Sequence, residues 1–378
     1  MTKKIKEEYE IVEELGSGGM ATVYKAIQRS LDRPVAIKEL RKTFHGDSTV
    51  EQRFEREAKL GASFQHENIV HIYDFCRAPE YCIVMEYVDG VTLSQVIDRS
   101  GSLPADVGVM IALRVANALE YAHTRGLIHR DIKPGNIMIK RNGEVKLMDF
   151  GIARTKGLEA LTQPGTLVGT PSYMSPEQAM GEALDIRSDI FSFGIVLYEM
   201  FTGAKPFQEE ETRSITAKIL QGSYIAPRRI NTDMPRSLQR TIKKCLKNKP
   251  HKRYASMQAL ARSLGKRVRG MDKAAQLKRI SDYLVEAELI EAPSADETVV
   301  IYRAPAMGTF TRVLVAAAAG LLLCTGAIGY YSWTKTRPPE AAPPIETAPT
   351  GSVVSLPAGS SLSAVTDTSA PAGPAPRQ

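Results

Sequence analysis

His129-Arg130-Asp131-Ile132-Lys133-Pro134-Gly135-Asn136, followed thirteen residues later by Asp149-Phe150-Gly151, sets two carboxylates and an amide into one short stretch. Between them, Ile137 to Leu147 alternates in strand fashion around Asn142-Gly143, the strongest short hairpin signal. A hairpin returns the chain to its starting end, so Asn136 and Asp149 come close together. Both offer hard oxygen atoms, which suits Mg²⁺, an ion that keeps waters and shares its ligands with phosphates. Asp131 remains to accept a proton from an attacking hydroxyl.

Upstream, two further motifs supply the phosphate partner. Leu15-Gly16-Ser17-Gly18-Gly19-Met20-Ala21-Thr22-Val23 lies between strand-like residues. Its glycines let the backbone approach phosphate oxygens with N–H groups pointing inward. Alone, that pattern is also a plain hairpin turn. Val35-Ala36-Ile37-Lys38 ends an apolar strand with an ammonium, which needs a partner if it is buried. The next helix, beginning near Glu51, carries an apolar face of Phe54, Ala58 and Gly61, with Glu57 at its edge. A Lys38–Glu57 pair presents an oriented cation to a nucleotide, and Lys133 can neutralise charge on a transferred phosphoryl group.

In this order and spacing the motifs resemble the bacterial eukaryotic-like (Hanks-type) transmembrane serine/threonine protein kinases, over about Tyr9 to Leu264. The resemblance implies an α+β, bilobal fold. A small β-rich lobe is expected to about Ala78 and a larger helical lobe from near Val91. It implies ATP with Mg²⁺, for which Mn²⁺ could substitute. Asp131, Lys133 and Asn136 are the implied catalytic residues, and Asn136 and Asp149 the metal ligands. The implied ATP site comprises Leu15, Gly16, Ser17, Gly18, Gly19, Met20, Val23, Ala36, Lys38, Glu57, Met85, Glu86 and Val88. Met85-Glu86-Tyr87-Val88 resembles the gatekeeper and hinge. Ala21 replaces the third glycine of the phosphate loop, a small departure. His129 resembles a packing residue rather than a base, and Asp-x-Lys-Pro resembles the Ser/Thr form rather than the Tyr form.

Further along, Ser175-Pro176-Glu177 stands where the family has Ala-Pro-Glu, and Glu177 is expected to pair with Arg253. Asp189 resembles the aspartate that holds the catalytic loop backbone. The segment Gly151 to Glu177 resembles an activation loop, in which Thr162 and Thr166 are candidate phosphosites that Arg130 could pair with once modified. Thr155 lies close to the metal motif, and Thr170 resembles a substrate-holding residue. Asp296-Glu297-Thr298-Val299-Val300-Ile301 resembles a phosphothreonine motif for a forkhead-associated-domain partner. It reads equally as a β-prone linker.

The 378 residues divide at composition shifts. The reading is a kinase domain over 9–269, a polar cytoplasmic linker over 270–312 with a short helix at Ala274 to Glu288, an apolar run over 313–333, and a Pro/Ala/Ser-rich tail over 334–378 that cannot bury enough surface to order. VLVAAAAGLLLCTGAIGYYSW matches a bilayer core in length, with Arg312 at one end and Tyr330, Tyr331, Trp333, Lys335 and Arg337 at the other. A buried soluble helix is the alternative, but no later domain follows to bury it. Met1 to Glu10 lacks an apolar leader core, so no secretory signal is expected. The flanking charges balance and do not set orientation; because the domain uses ATP, it is expected in the cytosol, with a single-pass anchor in membrane lipid and the tail outside. Ala316 and Gly320 have a spacing that could pair helices into a homodimer.

Cys76, Cys82, Cys245 and Cys324 have no metal-binding spacing and read as reduced thiols. The net charge is +7, and the interval Arg236 to Arg269 holds twelve Lys or Arg and no Asp or Glu. That suits an anionic surface or a merely solvated face; no nucleic-acid partner is expected. The expected activity is transfer of the ATP γ-phosphoryl group to Ser or Thr of protein substrates, with autophosphorylation. A membrane-anchored pseudokinase-like scaffold is the alternative from another class. A small-molecule phosphotransferase is the third reading, disfavoured by the Ser175-Pro176-Glu177 segment.

Overall fold

A computed structural model describes residues 7–77, 81–150, 171–208 and 214–292, all within one compact unit. Thr155, Thr162, Thr166, Thr170, Thr298, Cys324, the apolar run 313–333 and the tail lie outside the described residues.

The small lobe is a five-stranded antiparallel sheet of β1 (Tyr9–Ser17), β2 (Ala21–Gln28), β3 (Arg33–Leu40), β4 (Ile72–Cys76) and β5 (Cys82–Glu86), in the order β1-β2-β3-β5-β4. It therefore reaches Glu86, past the expected limit near Ala78. The segment at Cys82–Glu86 belongs to the sheet because β5 pairs with β3 as well as β4, from Val35↔Glu86 to Glu39↔Cys82. Side chains alternate across the two faces. Val35, Ile37, Cys82 and Val84 bury with Tyr9 and Ala26 on one side. Leu40 and Ile83 bury on the other, against α1 (Ser48–Ala62).

Helix α1 starts three residues before the expected position. Asp47 caps it, its carboxylate accepting from Thr49 N and Val50 N at 2.9 and 3.2 Å. Phe54, Ala58 and Gly61 face the sheet, as their spacing predicts. Gly61 permits the close crossing: a Cβ there would lie 2.3 Å from Ile72 Cδ1.

After β6 (Gly90–Thr92) come α2 (Leu93–Ser100) and α3 (Ala105–His123), then β7 (Ile137–Lys140) and β8 (Val145–Leu147). The last two form the expected hairpin, with Ile137 opposite Leu147. The larger lobe continues through α4 (Pro176–Ala179), α5 (Ile186–Thr202), α6 (Ile215–Gln221), α7 (Pro227–Ile230), α8 (Arg236–Cys245) and α9 (Met257–Gly265). Helix α5 is buried from Ser188 to Thr202. Such all-round burial marks the centre of the helical core.

The body does not end at 269. Helix α10 (Lys273–Glu286) falls in the expected linker, yet Ile280 and Leu284 are fully buried in the large core. The helix packs on α3. Ser281 Oγ donates to Arg141 O at 2.6 Å. Gly143 has φ +83°, and a Cβ there would lie 2.0 Å from Leu277 O, so the hairpin turn and α10 meet through a glycine. The polar composition that suggested a linker belongs to α10's outer side.

Candidate active site

The sheet register aims four predicted residues into one cleft. Lys38 lies opposite Val23 and Ile83, and Ala36 opposite Met85. Because Ala36 and Lys38 are two apart, they and their cross-strand partners share a face. That face is continuous with the side packed on α1, which delivers Glu57. Lys38 Nζ donates to Glu57 Oε1 at 2.7 Å and to Asp149 Oδ1 at 2.8 Å. Their side chains are 15%, 14% and 35% exposed, so the cation is sheltered but reachable. Burial pulls the Lys38 pKa down, but the Asp149 and Glu57 carboxylates outweigh it and hold the ammonium firmly protonated. Two of its three donors are used. Ile72, Met85, Met148 and Phe150 line the inner end of the cleft with them.

The opposite wall is the loop at His129. Asp189, near the start of α5, accepts from His129 N at 2.7 Å and Arg130 N at 2.9 Å, and meets His123 Nε2 at 2.8 Å. Arg130 has φ +68° and Asp149 φ +54°. Left-handed backbone at two non-glycine residues flanking the cleft is strain that neighbouring contacts must hold. Asp189 supplies that hold at Arg130, and Gln178 Nε2 adds a bond to Arg130 O at 2.9 Å.

His129 is packing, not a base. Its ring is fully buried and lies 4.6 Å from the Phe150 ring. Asp131 N donates to Nδ1 at 3.3 Å, leaving Nε2 to donate to Met148 O at 3.2 Å. Those two bonds require the neutral tautomer. Burial pushes its pKa below the usual value despite nearby Asp189 and Asp131.

Asp131, Lys133 and Asn136 converge. Lys133 Nζ donates to Asp131 Oδ2 at 2.9 Å. Asn136 Nδ2 donates to Asp131 O at 2.8 Å and to Asp131 Oδ2 at 3.1 Å. The amide nitrogen is thereby committed to Asp131, which leaves the Asn136 side-chain oxygen as the atom available to a cation. Met148 N donates to Asn136 O at 3.0 Å, locking this loop to the segment that carries Asp149. No group of three or more His, Cys, Asp or Glu side chains among the described residues could hold a metal alone. Two hard oxygen donors beside a phosphate-ready lysine do fit a Mg²⁺ whose remaining ligands are phosphate and water.

The phosphate loop is exposed from Leu15 to Gly19. Gly18 N donates to Ala21 O and Arg41 N to Met20 O, at 2.8 and 2.9 Å, which closes the turn. The Ser17 hydroxyl accepts from the Arg41 guanidinium, a partner the motif did not indicate. At the far end, Val88 is 5% exposed. The Glu86 side chain turns from the cleft to Lys140 and Lys146, each at 2.9 Å. Burial raises the Glu86 pKa, but the two lysines outweigh it and hold the group below the usual carboxylate range. Both lysines were visible in the sequence only as hairpin cations; nothing in the pattern assigned them a partner 54 or 60 residues away.

Below the cleft, Glu177 and Arg253 pair as expected, at 2.6 and 2.9 Å. Ser175, in place of the family's alanine, caps α4 in a capping box with Gln178.

Residues 9–264 match the family model of the protein kinase domain. The chain belongs to the protein kinase family. It is 41% identical over 253 residues to the serine/threonine-protein kinase PrkC of Bacillus subtilis, covering 67% of this chain and 39% of that one. It is 37% identical over 299 residues to the serine/threonine-protein kinase PknB of Mycolicibacterium smegmatis, covering 77% and 48%. A probable serine/threonine-protein kinase of Clostridium perfringens is 40% identical over 265 residues, covering 70% and 39%. The chain thus spans less than half the length of these relatives. The PknI kinase domain of Mycobacterium tuberculosis superposes with a TM-score of 0.55 at 27% identity, covering 69% of this chain and 96% of that domain.

Proposed function

We propose that this protein is a membrane-anchored serine/threonine kinase that transfers the γ-phosphoryl group of ATP to Ser or Thr hydroxyls of protein substrates. The observation that carries the reading is Lys38 held between Glu57 and Asp149, facing a loop where Asp131, Lys133 and Asn136 are mutually bonded. A pseudokinase scaffold has no need of that complete set.

Bound Mg-ATP supplies the transferable phosphoryl group and the divalent charge that offsets its negative oxygens. Lys38 holds the α- and β-phosphates through the donor its carboxylate partners leave unused. Asn136 and Asp149 hold the metal. Leu15, Val23, Ala36 and Met85 pack on the adenine, and backbone groups of Glu86 and Val88 bond its edge. Asp131 orients the substrate hydroxyl and takes its proton, a contribution of about 10²–10⁴-fold for a positioned base. Lys133 steadies the charge moving onto the transferred group.

Thr162 and Thr166 are the proposed autophosphorylation sites, and phosphorylated Thr298 the site for a forkhead-associated-domain partner. No helix among the described residues is long and apolar enough to cross a membrane. The anchor is the charge-free run 313–333, whose length and flanking aromatic and basic residues suit a span. Pairing through Ala316 and Gly320 would make the homodimer.

The test is incubation of the full chain with radiolabelled ATP, Mg²⁺ and a generic protein substrate, followed by phosphoamino-acid analysis and mapping of the modified peptides. Phosphoserine and phosphothreonine are expected, with Thr162 or Thr166 among the sites. Phosphotyrosine alone, or label that fails to depend on Mg²⁺, overturns the reading. Unmodified Thr298 beside a phosphorylated Thr162 or Thr166 removes only the forkhead-associated-domain partner.

A further inference from the structure

The basic interval singled out in the sequence forms a surface that the kinase reaction does not use. Helix α8 is sharply two-sided. Leu238, Thr241, Ile242 and Cys245 are buried, with Ile242 and Cys245 fully so. Arg236, Arg240, Lys243 and Lys244 are all exposed. At 100° per residue these four fall in a stripe roughly 100° wide. Helix α9 lies alongside: Thr241 Oγ1 meets Ser263 Oγ at 3.0 Å, and Arg267 Nη2 donates to Ser237 Oγ at 2.9 Å. Those contacts place the exposed Arg262 and Lys266 next to the α8 stripe. Lys244 Nζ stands 4.3 Å from the Tyr254 ring centroid, which fixes the seam between the helices.

The charges here are arranged differently from those that follow in sequence. In α10, Lys273, Lys278 and Arg279 pair with Glu67, Asp282 and Asp106. Among the described residues no ion pair involves Arg236, Arg240, Lys243, Lys244, Arg262 or Lys266, and no acidic residue occurs between Arg236 and Arg269. Like charges at i, i+4 repel one another. A folded domain gains nothing from that repulsion; an extended anionic surface relieves it. The surface is also remote from the reacting groups, because α8 buries its other side on α5: a Cβ at Gly194 would lie 2.6 Å from Cys245 Cβ.

We propose that the α8–α9 face docks the kinase domain on the anionic headgroups of its own membrane. This rests on the reading of residues 313–333 as a membrane span. The described chain ends at 292, so the twenty residues 293–312 reach at most about 70 Å. The domain is therefore confined near the bilayer, where a row of Lys and Arg is drawn to acidic lipid within a Debye length. A spread of separate cations with no bonded pocket between them suits a fluid array of headgroups rather than a single phosphate.

The experiment places the full chain in nanodiscs of phosphatidylcholine alone or with phosphatidylserine. Lysines are acetylated briefly and the extent at each is read by mass spectrometry. Lys243, Lys244 and Lys266 should react at least threefold more slowly in the phosphatidylserine discs, and recover in high salt, while Lys278 reacts equally in both. Arg236→Glu with Arg240→Glu should abolish the protection of Lys243 and leave ATP-dependent phosphorylation of a soluble substrate unchanged. Equal reaction rates in the two lipids overturn the proposal. Protection that appears in neutral discs only after ATP is added assigns the face to phosphorylated peptide and overturns it as well. Failure of the chain to enter discs of either composition contradicts the membrane span instead. Sedimentation with phosphatidylserine vesicles but not phosphatidylcholine vesicles then decides the face on its own.

Discussion

Two carboxylate–cation clusters, one in the cleft and one beneath it, use the same chemistry to opposite ends. Arg253 is buried with every donor spent. Its guanidinium bonds Glu177 twice and the carbonyls of Lys247, Arg187 and Asn248 at 2.7–2.8 Å. Lys38 keeps a donor in reserve, and its partners are reached by solvent. A saturated, dry pair can only hold structure; an unsaturated, half-wet one can exchange partners with a ligand. The contrast makes the two sites separable by mutation.

The largest stability effect is expected at the saturated pair. Arg253→Met strands a buried Glu177 carboxylate and should cost about 3–5 kcal/mol, lowering Tm by roughly 10 °C. Its pH dependence follows. In the native protein, burial raises the Glu177 pKa but Arg253 outweighs it and holds the carboxyl below its usual value. That stability is present above the unfolded value of about 4.3 and lost as pH falls through the depressed one. Without Arg253, burial alone raises the Glu177 pKa, so the variant regains stability as pH drops. The Tm gap between the two proteins should therefore narrow from pH 8 to pH 5; a constant gap would mean that Glu177 is not the group left stranded.

Next in size is Ile280→Ala, which empties a fully buried site between α10 and α3 and should cost about 2–4 kcal/mol in urea unfolding. A loss below about 0.5 kcal/mol would make α10 an appendage rather than part of the body. At the unsaturated pair, Lys38→Met should leave Tm within a few degrees, since Glu57 and Asp149 can rehydrate, yet reduce phosphoryl transfer by about 10²-fold or more. A variant that melts early and loses activity in proportion would erase the distinction between the clusters. The smallest effect is at Lys146→Met. Glu86 keeps Lys140, so stability should fall by about 1 kcal/mol, with a severalfold rise in KM for ATP and kcat nearly unchanged.

What the sequence disclosed, and what it hid, follows from the range of the interactions. Asp131, Asn136 and Asp149 could be placed together because a hairpin is a local device with a fixed return. Glu57 could be paired with Lys38 because a lone ammonium in an apolar strand demands a partner and only one nearby helix offered it. The attachment of α10 was hidden: Ile280, Tyr283 and Leu284 show a helix with an apolar face, but not that α3 would cover it. Likewise Lys140 and Lys146 sit on a hairpin of one sheet and Glu86 ends a strand of the other, and no spacing along the chain tells how two sheets meet. The cap Asp47 shifts the start of α1 to Ser48, and an Asp before a helical pattern reads equally as loop.

The sharpest test is of Asp131→Asn, which preserves shape and the bond from Lys133 while removing the proton acceptor. Single-turnover transfer from Mg-ATP to a protein substrate should fall by about 10²–10⁴-fold, with Tm and ATP binding unchanged. Transfer at the wild-type rate by a fully folded Asp131→Asn protein would contradict the assignment of this cleft as the place where the chemistry happens.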